Sequence, residues 1–85
     1  MKKYTPPTPE DLQKLKEELG YTGVQMADLT GLASGSQWRK YTSGEAPRAI
    51  SMQMLFYTAA KLVLSTDQVG SVYNKMREIG ADIED

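Results

Sequence analysis

The stretch from Thr22 to Gly44 reads TGVQMADLTGLASGSQWRKYTSG and decides the fold of the chain. A hydroxyl residue followed three positions later by glutamine, at Thr22 and again at Ser34, is the capping box that opens a helix. Gly31 and Gly44 stand where these two helices are expected to stop. Helices of about two turns are marginal alone, so the sequence predicts that packing holds them in a compact bundle.

The turn between the two helices is expected at Gly31, Leu32 and Ala33. A glycine permits a sharp reversal of the backbone, and Leu32 directly after it is placed to fill the corner. Ala27 stands where the first of the two helices must approach the second closely, which a small side chain allows. This pattern is typical of a helix-turn-helix.

The same start and stop signals predict three further helices. The first runs from Pro9 to Gly20, the fourth from Ser51 to Leu62, and the fifth from Thr66 to Ile79. Because no segment alternates with period two, the predicted fold class is all-α, a compact five-helix bundle forming a single helix-turn-helix domain over 1–85. The expected divisions are a flexible arm over 1–7, the helix-turn-helix over 22–44, a C-terminal helix over 65–80 and an acidic tail over 81–85.

Composition excludes several classes of function. The 85 residues contain neither cysteine nor histidine, which removes disulfides, thiol nucleophiles, histidine triads and the usual zinc sites. Nothing supplies a nucleophile with a base, so we expect no enzyme, no cofactor, no metal and no small-molecule ligand. The net charge of −1 argues against a non-specific nucleic-acid coat, and the sequence shows neither a signal peptide nor a membrane span, so a cytoplasmic location is expected.

Three stretches resemble the lambda-repressor-like (Xre/Cro-type) helix-turn-helix family of bacterial and phage regulators. MADLTGL at 26–32 resembles the second helix and turn of that family, and WRKYTSG at 38–44 resembles the end of its recognition helix. ISMQMLFYTAAKL at 50–62 is similar to its fourth helix. This chain departs by one extra residue, placed within 33–36, and by Trp38 in a slot that usually holds isoleucine or valine.

The resemblance implies a DNA-binding transcriptional regulator, of the phage or prophage repressor type, whose third helix lies in the major groove of double-stranded DNA. With Trp38 and Tyr41 pointing inward, the opposite face is expected to meet base edges through Ser36, Gln37, Arg39 and Lys40. Contacts to the DNA backbone are expected from Ser34, Gly35, Ser43, Arg48 and Ser51. The acidic residues cluster in the first helix and the tail and would face away from DNA.

Alternatives stay open at this point. Arg39 and Lys40 could form an ordinary solvated face, and Gln37 could cap Ser34 instead of reading a base. A homodimer is expected, with a stripe on the fifth helix as its interface, although the same stripe could simply cover the other four helices; its residues are Val69, Val72, Tyr73 and Met76. A protein-interaction module of antitoxin or adaptor type, built on the same fold, is the rival function.

Overall fold

A computed structural model describes residues 3–84, and over that range the chain forms five α-helices and no strand. The predicted all-α architecture with five helices is therefore confirmed. The helices are α1 (Pro9–Leu19), α2 (Gly23–Thr30), α3 (Gly35–Thr42), α4 (Met52–Val63) and α5 (Thr66–Ile79). None of them is long and apolar enough to cross a membrane.

Local capping chemistry explains where the helices begin. Complete capping boxes open α1 at Thr8, α2 at Thr22 and α5 at Ser65, with the hydroxyl and the residue three positions later bonding each other's backbone N–H. Ser51 opens α4 by accepting a hydrogen bond from the N–H of Met54. Each start therefore satisfies one or two of the backbone donors that a helix end leaves without partners.

The third helix begins at its predicted cap, Ser34, but differs from the prediction in its capping bonds and in where it ends. The Ser34 hydroxyl accepts from the N–H of Gln37, but the return bond of a full capping box is not present. The helix ends at Thr42 with Ser43 as its cap, so Gly44 lies one residue beyond the cap with a φ of 92°. That glycine serves the turn after the helix, where a positive φ is required.

The core lies where α1, α2 and α3 meet Ile50, which directly precedes the cap of α4. Trp38 is its largest member and only 2% exposed, which confirms that this side chain points inward. Its indole Nε1 is buried and has no hydrogen-bond partner among the described residues. Half-buried residues, including Tyr41 and Leu32, pack around a buried set that consists of Leu12, Met26, Ala27, Leu29, Trp38 and Ile50.

Both terminal segments are attached to the body within the described range. The Tyr4 hydroxyl donates a 2.7 Å hydrogen bond to the carbonyl of Ile50, which ties the expected flexible arm to the start of α4. In the acidic tail, the carbonyl of Ile83 accepts from Nε and Nη2 of Arg77 at 3.2 and 3.0 Å. Met1, Lys2 and Asp85 belong to the predicted arm and tail and lie outside the described residues.

The fifth helix is attached far more loosely than the others. It packs against α4, where the hydroxyls of Tyr57 and Tyr73 approach to 3.4 Å. Within the described chain, none of the 14 residues of α5 is buried. Its apolar stripe is therefore partly open to solvent, with Val72, Met76 and Ile79 all exposed.

Candidate nucleic-acid interface

The two faces of α3 differ in chemistry. Trp38 and Tyr41 face the core, whereas Ser36, Arg39 and Lys40 are exposed. Positions three apart share a side of a helix, which places Ser36 beside Arg39, and the Arg39 guanidinium donates to the Ser36 hydroxyl at 3.2 Å. The outer face of α3 is therefore a short polar and cationic strip above a buried tryptophan.

Gln37 lies at the edge of that strip. Its side chain is half-buried, and its backbone N–H is the donor to the Ser34 hydroxyl. Because the Gln37 side-chain oxygen does not accept from the backbone N–H of Ser34, capping does not occupy the Gln37 side chain. Of the two uses weighed for Gln37, the geometry leaves its amide available for an external partner.

The beginning of α3 lies against the beginning of α2. A Cβ placed on Gly35 would stand 3.5 Å from the backbone of Gly23 and from the backbone N of Val24. The missing side chains at Gly23 and Gly35 therefore let two helix N-termini meet at one surface. Sequence reasoning missed Gly23 and Val24; the available signal was a glycine at the first helical position directly after a capping threonine.

The segment after α3 folds back on the end of that helix. The backbone N–H and hydroxyl of Ser43 both donate to the carbonyl of Arg39, each at 3.0 Å. The N–H of Arg48 donates to the carbonyl of Lys40 at 2.8 Å, so the backbone of Arg48 adjoins the end of α3. Arg48 and Ser51 are exposed, and the Ser51 hydroxyl is engaged in capping α4.

The charges around α3 are uneven. Arg39, Lys40 and Arg48 form no salt bridge among the described residues, and Glu45 is the acid nearest to them in sequence. Two acids of α1, Glu10 and Glu17, line a shallow groove together with Thr42. The carboxylates of Glu10 and Glu17 therefore lie beside the C-terminal end of α3.

Lys61 belongs to a different cluster, which sequence reasoning missed. Its Nζ donates to the carbonyl of Asp28 at 3.1 Å and lies 4.9 Å from the centre of the Tyr57 ring. Tyr57 in turn packs on the turn after α2, since a Cβ on Gly31 would meet its ring at 3.3 Å. Through Tyr73 the cluster also reaches α5. Asp28 and Gly31 lie far in sequence from Tyr57 and Lys61, so a local pattern does not reveal the contact between α2 and α4.

Known proteins add no assignment. Comparisons with models of protein families, with curated proteins and with solved structures found no match. Among residues 3–84, no three acidic side chains come together in a group that could hold a metal ion. A functional assignment therefore depends on the chemistry of the α2–α3 surface and of the exposed apolar residues.

Proposed function

We propose that this chain is a sequence-specific DNA-binding transcriptional regulator of the phage or prophage type, which represses by occupying an operator as a homodimer. In this proposal α2 and α3 act as a helix-turn-helix, and α3 enters the major groove. The observation that carries it is the two-sided character of α3, in which a buried Trp38 fixes the helix while Ser36, Arg39 and Lys40 stand outward. A short helix held rigidly with donors on its outer face suits base readout.

The side chains on the strip match the hydrogen-bonding groups of base edges. Arginine pairs with O6 and N7 of guanine, and glutamine pairs with N6 and N7 of adenine. The Ser36 hydroxyl contacts one terminal nitrogen of Arg39 and thereby directs the guanidinium toward the start of α3. In a helix-turn-helix protein the N-terminal residues of the recognition helix are the ones that meet bases.

Phosphate contacts would come from both ends of the strip. The adjoining starts of α2 and α3 offer backbone N–H groups together with the hydroxyl of Ser34 beside Gly35. At the other end Arg48 supplies a cation, with Ser43 and Ser51 as neighbouring hydroxyls. Three cations on this surface would release few counterions from the DNA. In a plot of the logarithm of the binding constant against the logarithm of the salt concentration, we therefore expect a slope shallower than about −3 per monomer.

The test is selection from a random duplex DNA pool at physiological salt, followed by sequencing of the retained fraction. We expect an enriched two-fold symmetric motif, with half-sites about 34 Å apart. Arg39→Ala should weaken binding to that motif by about 1–3 kcal/mol and relax the preference at one base pair. No enrichment by a folded protein would refute the regulator.

A matched pair of lysine variants separates the proposed surface from general charge. Lys40→Ala should weaken DNA binding, whereas Lys75→Ala should not, although both lysines are exposed and both changes remove one positive charge. Lys75 lies on α5, where its Nζ is 3.9 Å from Oε1 of Glu78. Equal losses in the two variants would mean that net charge, and not the α3 strip, governs binding.

One observation favours the rival function, a protein-interaction module. The exposed apolar residues of α4 and α5, among them Phe56, Val63 and Val72, are unusual for a surface that meets only water. An antitoxin-like or adaptor protein would use that surface for a partner protein and would tolerate alanine at Arg39 and Lys40. The same variants therefore discriminate between the two functions.

A further inference from the structure

An open apolar groove lies between α4 and α5. Its volume is about 350 Å³, and its walls come from Met52, Gln53, Phe56, Tyr57 and Ala60 of α4 and from Val72 of α5. Gln53 and the Tyr57 hydroxyl are the polar groups among these side chains. The groove is distinct from the α3 strip, since none of its lining residues belongs to α2 or α3.

Phe56 both forms a wall of this groove and projects from it. Its side chain is 71% exposed, and among the large hydrophobic residues of the described chain only Val63 and Ile79 are more exposed. An engineered apolar cavity of about 150 Å³ holds a benzene molecule, so the groove has room for a phenyl ring. The same surface therefore presents an aromatic projection and, beside it, a recess of sufficient size for one.

The charge around the groove restricts what can cover it. The stretch of α4 from 52 to 60 contains no charged residue, and on the α5 side Lys75 is paired with Glu78. The cation beside it is Lys61, which lies outside the lining, with its Nζ over the Tyr57 ring and bonded to the Asp28 carbonyl. The lining itself therefore offers no cation to DNA phosphates or to anionic lipid headgroups, and membrane-surface helices depend on such cations. A charged peptide would find no opposite charge in the groove. The part of the occupant that contacts the groove must therefore be apolar and uncharged.

We propose that the occupant is a second copy of this chain, joined across a two-fold axis so that Phe56 of each copy enters the α4–α5 groove of the other. A two-fold interface brings one surface against itself, which demands self-complementarity and no charge of a single sign. The projecting Phe56 beside a recess makes the surface self-complementary, and the uncharged stretch of α4 avoids repulsion between like charges. The interface also covers Val72, which the α5 helix otherwise leaves exposed.

This inference deepens the proposed function, whose regulator is a homodimer, by naming the face that joins the copies. It moves the centre of the interface from α5 to α4. Of the α5 residues expected from the sequence, Val72 lines the groove, whereas Val69 and Tyr73 line a separate recess with Leu64. The dimer does not require DNA, so it can be tested without it.

Sedimentation equilibrium of the whole chain without DNA tests the proposal. The wild-type protein should approach twice its monomer mass of 9.5 kDa as its concentration rises. Phe56→Glu and Phe56→Lys should each dimerise about 30-fold or more weakly, the effect expected of a central hot spot. Because the two Phe56 side chains would adjoin across the axis, mixing the Glu and Lys variants should restore a dimer.

The matched control is Val24→Glu, which adds the same charge at a 70% exposed apolar residue on α2 and should leave the mass unchanged. Circular dichroism of each variant verifies that the helices persist. A wild-type protein that stays monomeric up to about 1 mM would overturn the proposal and direct attention to a different partner protein. A Glu and Lys mixture that stays monomeric, or a Phe56→Glu variant that dimerises normally, would overturn it equally.

The outcome stays separate from that of the DNA experiment. A monomeric protein that still enriches a DNA motif would remove the dimer and keep the regulator. A protein that dimerises as proposed yet enriches no DNA would keep the α4–α5 interface and remove the regulator.

Discussion

The body built from α1, α2, α3 and the start of α4 contrasts with α5 and the groove that α5 shares with α4. Five of the six buried hydrophobic residues lie in α1, α2 and α3, and the sixth is Ile50 just before the cap of α4. Buried residues are absent from the 14 positions of α5, all of which the structure describes. Burial of apolar area is the main source of stability, so the first region supplies most of the folding free energy. The second region has apolar surface left for a partner.

The largest expected change in the free energy of unfolding comes from comparing the same substitution, methionine to alanine, at one position in each region. Met26→Ala removes a fully buried side chain, 0% exposed, and should lower the free energy of unfolding by about 2–5 kcal/mol. Met76→Ala changes a side chain of α5 that is 41% exposed, and alanine is the better helix former, so we expect a loss below about 1 kcal/mol. Urea denaturation at a concentration where the chain is monomeric measures both.

Each methionine variant serves as the control for the other, because the chemical change is identical. Equal losses at the two positions would contradict the contrast and show that α5 contributes as much to the monomer as the core does. A large loss at Met76 that appears only at high protein concentration would instead place its contribution in the dimer.

Replacing each of two glycines by alanine gives a second paired comparison, in which the stability of the fold is expected to change in opposite directions. Gly31 ends α2 with a φ of 78°, and a Cβ there would meet the Tyr57 ring at 3.3 Å. Gly31→Ala should therefore destabilise the chain by about 1–2 kcal/mol from the left-handed backbone alone. Gly70 lies inside α5 with nothing within 4 Å of an added Cβ, so Gly70→Ala should stabilise by about 0.5–1 kcal/mol.

Thermal unfolding of the two glycine variants beside the wild type provides the measurement. Destabilisation by Gly70→Ala would mean that this part of α5 is packed more closely than the described surroundings show. A neutral Gly31→Ala would mean that the turn after α2 yields easily, which would weaken the case for a rigid α2–α3 surface.

The sequence was sufficient for the features that depend on near neighbours. Capping residues such as Thr22, Ser34 and Ser65 act within three positions of themselves, so their helices begin where predicted. The inward direction of Trp38 came from the resemblance, which matches this residue to a buried slot, and the structure buries its side chain. With Trp38 inward, the geometry of a helix places Arg39 and Lys40 on the exposed face of α3.

What the sequence could not provide are pairings between distant residues. The Tyr4 bond to Ile50 joins positions 46 apart, and the Lys61 bond to Asp28 joins positions 33 apart. Periodicity indicates that α5 has an apolar face, but it does not state how much of that face another helix covers. For this reason the groove beside Phe56 and the approach of Gly23 to Gly35 emerged only from the structure.

The smallest expected effect is a difference in how the starts of α1 and α5 respond to acid. Both helices begin with a capping box, but the side chain that accepts from the cap N–H differs between them. At α1 the Asp11 carboxylate accepts from the N–H of Thr8 at 2.9 Å, and at α5 the Gln68 amide oxygen accepts from that of Ser65 at 2.8 Å. The pKa of Asp11 is lowered below its ordinary value of 3.8. The largest cause is the hydrogen bond from the Thr8 N–H, followed by the bond with the Thr8 side chain and, to a lesser degree, the charge of Lys14.

A lowered pKa in the folded chain means that the cap contributes its full stability above pH 3.8 and loses it as the pH falls through the folded value. We therefore expect the amide proton signal of Thr8 to shift in an NMR titration below pH 3.8, while that of Ser65 stays constant because glutamine does not titrate. Asp11→Asn should abolish the shift at Thr8 and keep the helix. A Ser65 signal that moved in parallel with Thr8 would show instead that acid loosens the whole molecule, and the two caps would no longer report on their separate regions.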